Sequence, residues 1–190
     1  MDTYYSASAV FLIQTVFGLY ILAVLLRLML QFLRADFYNQ VSQFLVKITN
    51  PPLKPLRRII PGWGGIDLAS VVLLIVLQMA ELFLVNVAVG HAVGVGGLFV
   101  LAIAELLGLV INVFTGAIIL EVILSWMAPG SYSPIIGLVY RIADPVLAPS
   151  RRIIPPISGI DLSPLLSLVV LQLMKLLVVA PLSDFGQRLG

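Results

Sequence analysis

Two pairs of adjacent arginines occur in two related stretches of the chain. Arg57-Arg58 and Arg151-Arg152 lie 94 residues apart, and each pair opens the sequence Arg-Arg-Ile-Ile-Pro. A guanidinium group donates two hydrogen bonds at once to a phosphate or a carboxylate, so these pairs suit lipid headgroups or acidic partners. The alternative is that they only supply the positive charge that orients a membrane protein. Further basic residues accompany them: Lys47, Lys54 and Arg141.

Four charged residues lie inside apolar segments. A shift of 94 residues superposes Arg27 on Glu121 and Glu81 on Lys175, so the members of each equivalent pair have opposite charge. A lone charge at the centre of a bilayer costs about 2.5–3.5 kcal/mol on insertion scales. Pairing is therefore expected, and the sequence predicts the ion pairs Arg27–Glu121 and Glu81–Lys175 between the two copies.

Two glutamines extend this pattern. Gln78 and Gln172 are also equivalent, and each lies one helical turn before the charged residue at position 81 or 175. The charges and amides have two interpretations. They are structural pairs that hold the copies together, or they form an ion or proton path, although no broken helix marks a substrate site.

The composition indicates the medium that surrounds these residues. Apolar residues make up 61% of the 190 residues and charged residues 11%, and the mean hydropathy is +1.12. Only lipid favours such a surface. Four segments are long enough to cross a bilayer: about 9–33, 68–89, 103–127 and 162–181.

The chain carries no signature of an enzyme. It has no cysteine and a single histidine, His91, in a glycine-rich loop. It also lacks a glycine-rich phosphate loop, a cluster of metal ligands and a Ser-His-Asp set. The sequence therefore predicts no catalytic residue, no metal and no cofactor.

The chain is an internal duplication, with copies at 1–94 and 95–190. Residues 51–67 and 145–161 share eleven of 17 positions without a gap. Each copy holds two spans, so both copies point the same way across the membrane. This predicts a pseudo-two-fold axis along the membrane normal.

The connector within each copy has a helical pattern of its own. Apolar residues recur at helical spacing before Asn50-Pro51 and before Asp144-Pro145, as in a helix that lies in the membrane interface. Asn50 and Asp144 are predicted to be N-caps of a second short helix that carries the arginine pair. Gly65-Ile66-Asp67 and Gly159-Ile160-Asp161 are then predicted to turn the chain, with each aspartate capping the next span.

The distribution of basic residues predicts the orientation. Eight of the eleven lie in the two connectors, so the positive-inside rule places both connectors in the cytoplasm and both termini in the periplasm. The expected partners are the bilayer itself, with anionic lipids at its cytoplasmic face, and unidentified membrane proteins. Further copies of the chain remain an open alternative, and direct binding of nucleic acid is not expected.

These residues resemble those of a known family. Asp/Asn-Pro, a Leu-x-Pro step, Arg-Arg-Ile-Ile-Pro and Gly-Ile-Asp, repeated between paired spans, look like the YggT family of small integral membrane proteins. The two-copy form is similar to the proteobacterial inner-membrane members. The resemblance implies roles in osmotic or envelope stress, potassium balance, cell division or, in plastids, cytochrome assembly and nucleoid distribution. It supplies no catalytic residue.

The sequence thus predicts an all-α membrane protein of four transmembrane helices, arranged as two tandem pseudo-symmetric hairpins with cytoplasmic amphipathic connectors. The leading function is a non-enzymatic inner-membrane scaffold or assembly factor for envelope or osmotic homeostasis. The alternative is a small transporter or channel subunit for an ion or proton that uses the intramembrane charges.

Overall fold

The computed structural model describes residues 2–35, 38–63, 65–91, 94–127, 133–155 and 161–190. The helices, in chain order, are α1 (Asp2–Phe32), α2 (Gln40–Ile59), α3 (Leu68–Val89), α4 (Val95–Met127), α5 (Pro134–Ile153), α6 (Ser163–Met174), a π-helical turn (Lys175–Val179) and α7 (Ala180–Leu189). Within these described ranges, four stretches are long and apolar enough to cross a membrane: Tyr4–Phe32, Leu68–Val89, Val95–Met127 and Ser163–Leu189. The predicted all-α fold with four spans is confirmed.

The last two spans are longer than predicted because their outer ends pack against each other. A Cβ atom at Gly97 would lie 2.8 Å from the backbone nitrogen of Gly190, and one at Gly186 would lie 2.9 Å from Cγ of Leu101. Glycine is therefore needed where α4 and α7 approach. This contact extends α4 back to Val95 and carries the final helix on to Leu189.

Each connector is one helix of 20 residues rather than the two shorter helices expected. The N-cap of α2 is Asn39, whose side chain accepts a 2.8 Å hydrogen bond from the N–H of Ser42. Ser133 caps α5. The prediction that Asn50 and Asp144 are N-caps is wrong, since both lie inside a continuous helix.

The helix continues through Pro51 and Pro52 because the groups that these prolines leave unpaired are satisfied elsewhere. Pro52 has no N–H to give to the carbonyl of Ile48, and the hydroxyl of Tyr20 donates to that carbonyl at 3.3 Å. Pro51 frees the carbonyl of Lys47, which is on the exposed side of the helix. A buried stripe runs on through the proline pair: Ser42, Leu45, Thr49 and Leu53.

The turn after the first connector forms as expected. Gly65 has φ +84°, a left-handed conformation that favours glycine, and the backbones of Trp63 and Ile66 pair across it. Asp67 stands at the N-cap position of α3, without a side-chain hydrogen bond to the backbone there. The equivalent Gly159-Ile160 turn lies outside the described residues.

The two hairpins lie side by side. Within the copies, α1 packs on α3, and α4 packs on α6, the π-turn and α7. The copies meet through α3 against α4 and α1 against α5, whereas α6 and α7 make no contact of comparable extent with α1 among the described residues. Helix α4 therefore lies between α3 and the last span. Equivalent positions do not face each other across a closed pseudo-two-fold axis, contrary to the expectation from the repeat.

Candidate functional site

An arginine–aspartate contact joins each connector to the span that follows it. In the first copy, Nε and Nη2 of Arg57 both donate to Oδ2 of Asp67, the Nε bond being 3.1 Å long. In the second copy, Nε of Arg151 donates to Oδ2 of Asp161 at 3.1 Å. The two arginines are equivalent, as are the two aspartates. We call each contact the clamp of its copy.

The clamp carboxylates are held in their charged form. Burial raises the pKa of Asp67, but hydrogen bonds from Arg57 and from the Ser70 hydroxyl outweigh it, so the pKa lies below its ordinary value. The pKa of Asp161 is lowered in the same way by Ser163 and Arg151. The N–H of Ser163 donates to Oδ1 of Asp161 at 2.9 Å, so this aspartate binds the start of its span, although the N-cap residue of α6 is Leu162.

The equivalent residues Arg27 and Glu121 each contact the connector of their own copy. Arg27 is 5% exposed, and its Nη1 donates to Oγ1 of Thr49 at 2.7 Å. Glu121 accepts a 2.8 Å hydrogen bond from Nη2 of Arg151. The predicted Arg27–Glu121 ion pair is wrong, because the side-by-side arrangement puts each residue next to its own connector.

The two clamp regions have opposite electrostatic character. The first copy has three basic residues and one acidic residue at the five equivalent positions: Arg27, Lys47, Asn50, Arg57 and Asp67. The second copy has two basic and three acidic residues there: Glu121, Arg141, Asp144, Arg151 and Asp161. One framework thus carries a surplus of positive charge in one copy and of negative charge in the other.

Two open cavities adjoin the second clamp. One of about 510 Å³ is lined mainly by α4 and α5: Glu121, Ser125, Gly137, Tyr140, Arg141, Asp144 and Arg151. The other, of about 550 Å³, extends towards the start of α6: Glu121, Val122, Ser125, Trp126, Arg151, Asp161 and Pro164. Because Glu121 and Arg151 line both, the negatively charged clamp region is accessible from two sides.

The two members of each arginine pair have different contacts. Arg57 and Arg151 form the clamps, whereas Arg58 and Arg152 are exposed. Lys47 and Lys54 are also exposed on α2. In the second connector, Nε of Arg141 instead donates to the carbonyl of Leu33 at 2.8 Å and ties α5 to the end of α1.

The intramembrane residues form a line across three spans, which we call the polar stripe: Glu81 on α3, Glu105 and Asn112 on α4, and Lys175 at the π-turn. Glu105 lies on α4, the helix that packs against α3. Nζ of Lys175 donates to Oδ1 of Asn112 at 3.0 Å. Residues 105 and 112 are seven apart and share one face of α4, which joins the two ends of the stripe.

The predicted Glu81–Lys175 ion pair is wrong. Among the described residues the ion pairs are those of Arg57 with Asp67 and of Arg151 with Glu121 and Asp161. Helix α4 lies between the two residues, so Glu81 instead accepts a 3.1 Å hydrogen bond from Gln78. Gln78 is buried in the central part of the molecule, whereas the equivalent Gln172 is exposed on the outermost span.

The last span also has an irregularity that the sequence analysis did not predict. In the π-turn, the N–H of Ala180 bonds to the carbonyl of Lys175. The next residue is Pro181, which has no N–H. The carbonyl of Leu176 therefore has no backbone donor in either the α or the π register. This carbonyl lies one residue from Lys175, within the polar part of the span.

Some of these contacts had a signal in the sequence. The clamp residues lie ten apart in both copies, at 57 and 67 and at 151 and 161, and this spacing could have indicated the contact. No comparable signal marked Thr49 or Tyr20, whose partners lie 22 and 28 residues away. Among the described residues, no group of three or more His, Cys, Asp or Glu could hold a metal ion.

Comparisons with known proteins agree with the duplication. The family model described as CCB3/YggT matches twice, at residues 6–88 and 100–182. An uncharacterized protein of Pseudomonas aeruginosa, PA0392, is 47% identical over 97% of this chain and 96% of its own length. An uncharacterized protein of Vibrio alginolyticus is 42% identical over 88% and 91%. The uncharacterized protein YggT of Escherichia coli K12 is 36% identical over 94% and 93%. No solved structure matches.

The division of the arginine pairs gives a direct test. Arg57→Gln should lower the free energy of unfolding in detergent by about 1–3 kcal/mol, because the buried carboxylate of Asp67 loses its charged donor. The adjacent Arg58→Gln serves as the control and should change it by less than about 0.5 kcal/mol. In the second copy, Arg151→Gln and Arg152→Gln provide the same comparison of the free energy of unfolding. Equal losses at the two members of a pair would contradict the clamp.

Proposed function

The chain belongs to the CCB3/YggT family, and from this we propose that it is a non-enzymatic membrane scaffold or assembly factor. In this proposal a basic connector surface binds anionic lipid headgroups and acidic parts of partner proteins. The process served is envelope or osmotic homeostasis. The observation that carries the proposal is a row of three basic residues on the outward face of α2.

This basic row consists of Lys47, Lys54 and Arg58. The spacings of seven and four residues place them on one face of α2, and all three are exposed. The opposite face packs into the molecule, where Thr49 and Leu53 are 0% exposed. None of the three basic side chains takes part in the ion pairs of the described residues. They are therefore available to an external anion.

The energetics favour a lipid surface as the first ligand of this row. A lysine or arginine near an anionic leaflet contributes about 1 kcal/mol, and three on one face act together. The second connector offers Arg152 at the position equivalent to Arg58. Arg57 and Arg151 support the surface indirectly, since they fix the connectors to the spans rather than meeting the ligand.

We place the protein in the bacterial inner membrane, with both connectors in the cytoplasm and both termini in the periplasm. Four apolar helices suit a multi-pass membrane protein, and an even number of spans returns the chain to its starting side. The basic row would then face the anionic leaflet on the cytoplasmic side.

A second candidate function is movement of an ion or proton, and the polar stripe favours it. Charged residues at membrane depth mark such paths in transporters, and π-turns occur often at functional sites. In proteoliposomes this function predicts a flux that falls in Glu81→Gln and in Lys175→Met but not in Arg58→Gln. Equal flux with and without the protein would eliminate it.

The basic row predicts a change in bound lipid. In the triple variant Lys47→Gln, Lys54→Gln and Arg58→Gln, the ratio of anionic to zwitterionic lipid retained after extraction should fall about tenfold. Native mass spectrometry measures this ratio. Arg188→Gln removes an exposed positive charge at the other end of the last span and should leave the ratio unchanged. An unaltered ratio in the triple variant would mean that the row only orients the protein.

The proposed orientation can be tested with reporter fusions in whole cells. Fusions after Gly62 and after Pro155 should be active in the cytoplasm, because each follows a basic connector. A fusion after Gly190 should be active in the periplasm. A C-terminus in the cytoplasm would contradict the arrangement of four spans.

A further inference from the structure

The polar stripe lies at a depth where lipid cannot neutralise it. Lys175 is the 13th of the 27 residues of its span, and Glu81 the 14th of 22. At 1.5 Å per residue, Lys175 is about 18 Å or more from either end of its helix, well inside a hydrocarbon layer about 30 Å thick. Glu81 and Lys175 are equivalent positions in copies that cross the membrane in the same direction, so they lie at comparable depth.

The charges of the stripe are not neutralised within one chain. Lys175 has a neutral amide, Asn112, as its hydrogen-bond partner. Glu81 has the amide of Gln78 as its partner, and the adjacent helix α4 adds a second carboxylate, Glu105. None of these three charged residues belongs to an ion pair of the described part of the chain. One side of the stripe is therefore acidic and the other basic, with no counter-charge on either.

The order of the helices makes this face complementary to itself. Helix α4 lies between α3 and the last span, so the stripe runs from acid on α3, through α4, to base at the π-turn. A two-fold axis along the membrane normal, in front of α4, preserves depth and reverses this order. It would bring the acidic side of each chain opposite the basic side of the other, twice.

We propose that the polar stripe is the interface of a two-fold symmetric dimer in which Glu81 of each chain pairs with Lys175 of the other. A second copy is the occupant because it brings an opposite charge to both sides at once, Lys175 to the acidic side and Glu81 to the basic side. An unrelated acidic helix would satisfy Lys175 and leave Glu81 uncompensated. The proposal goes beyond the lipid-binding role and uses a different face, so the basic row can fail its test without affecting this one.

Two further residues suit a close approach along this face. Gly116 lies four residues after Asn112, on the same side of α4, and a Cβ atom there would meet nothing within 4 Å in the single chain. A small residue at this point lets two α4 helices come near. The exposed Gln172 adds an amide beside Lys175, where a partner could satisfy it.

The main experiment uses charge reversal with two differently tagged copies expressed together. Glu81→Lys alone and Lys175→Glu alone place like charges at both contacts, so co-purification of the two tags should fall about tenfold for each variant with itself. Glu81→Lys expressed with Lys175→Glu restores opposite charges at both contacts and should return co-purification to the wild-type level. Arg188→Glu, a charge reversal at the exposed far end of the last span, should leave it unchanged.

A local cross-link tests the face directly, because the chain has no cysteine of its own. In native membranes Gly116→Cys should form a disulfide-linked dimer on mild oxidation. Leu107→Cys lies nearly opposite on α4 and is also exposed, so it should stay monomeric. Preferential cross-linking through Leu107→Cys would overturn the proposal.

A steric variant covers the case in which a charge-reversed chain fails to insert. Gly116→Phe keeps every charge, and its Cβ atom would meet nothing within 4 Å in the single chain. It should separate the tagged copies, while Leu107→Phe should not. The charge variants could also give a contrary result. In that case co-purification would recover when Glu81→Lys and Lys175→Glu are combined on one chain, but not when the two single variants are mixed. That result would mean that the pair forms within one chain. Co-purification that is unaffected by every variant would equally overturn the interface.

Discussion

The clamp is the contact on which the rest of the architecture depends. A span has to begin where the connector ends, and the carboxylate at that junction is buried in the first copy and half-buried in the second, so it favours a fixed cationic partner. Arg57 and Arg151 provide it from the last turn of each connector helix. This closes the connector back onto the next span and fixes the direction of the outward basic residues. The outward direction of the basic row and the pairing of the spans are thus consequences of one charge compensation, made twice.

The features that depend on local sequence could be predicted. Apolar length determines the spans, and identity between residues 51–67 and 145–161 reveals the duplication. The sequence predicts the connectors less well, because the rule that proline ends a helix considers only neighbouring residues. The helix is continuous because Tyr20 donates to the carbonyl that Pro52 leaves free, and a partner 28 residues away has no signature in the connector itself.

The intramembrane charges show a different limit of the sequence. Repeat equivalence gives the position of a residue along its span, but it does not give the lateral placement of one copy against the other. Arg27 and Glu121 each bind within their own copy, and α4 separates Glu81 from Lys175. The same framework has therefore diverged in charge. The clamp region of the first copy is positive, and Arg27 there is buried. The clamp region of the second copy is negative and opens to cavities. Duplication here produced two sites of similar geometry and opposite electrostatic preference.

The π-turn has a consequence for the outer end of the molecule. It contains one residue more than an α-helical turn. Every later side chain is therefore rotated about the helix axis by about 100° relative to its position in a continuous α-helix. Only with that offset does Gly186 of α7 meet α4 beside Leu101. Without the extra residue, α7 would continue the same helix but present another side to α4. The irregular turn therefore sets the rotational register in which the last helix closes the second hairpin, at a distance from the bonds that it rearranges.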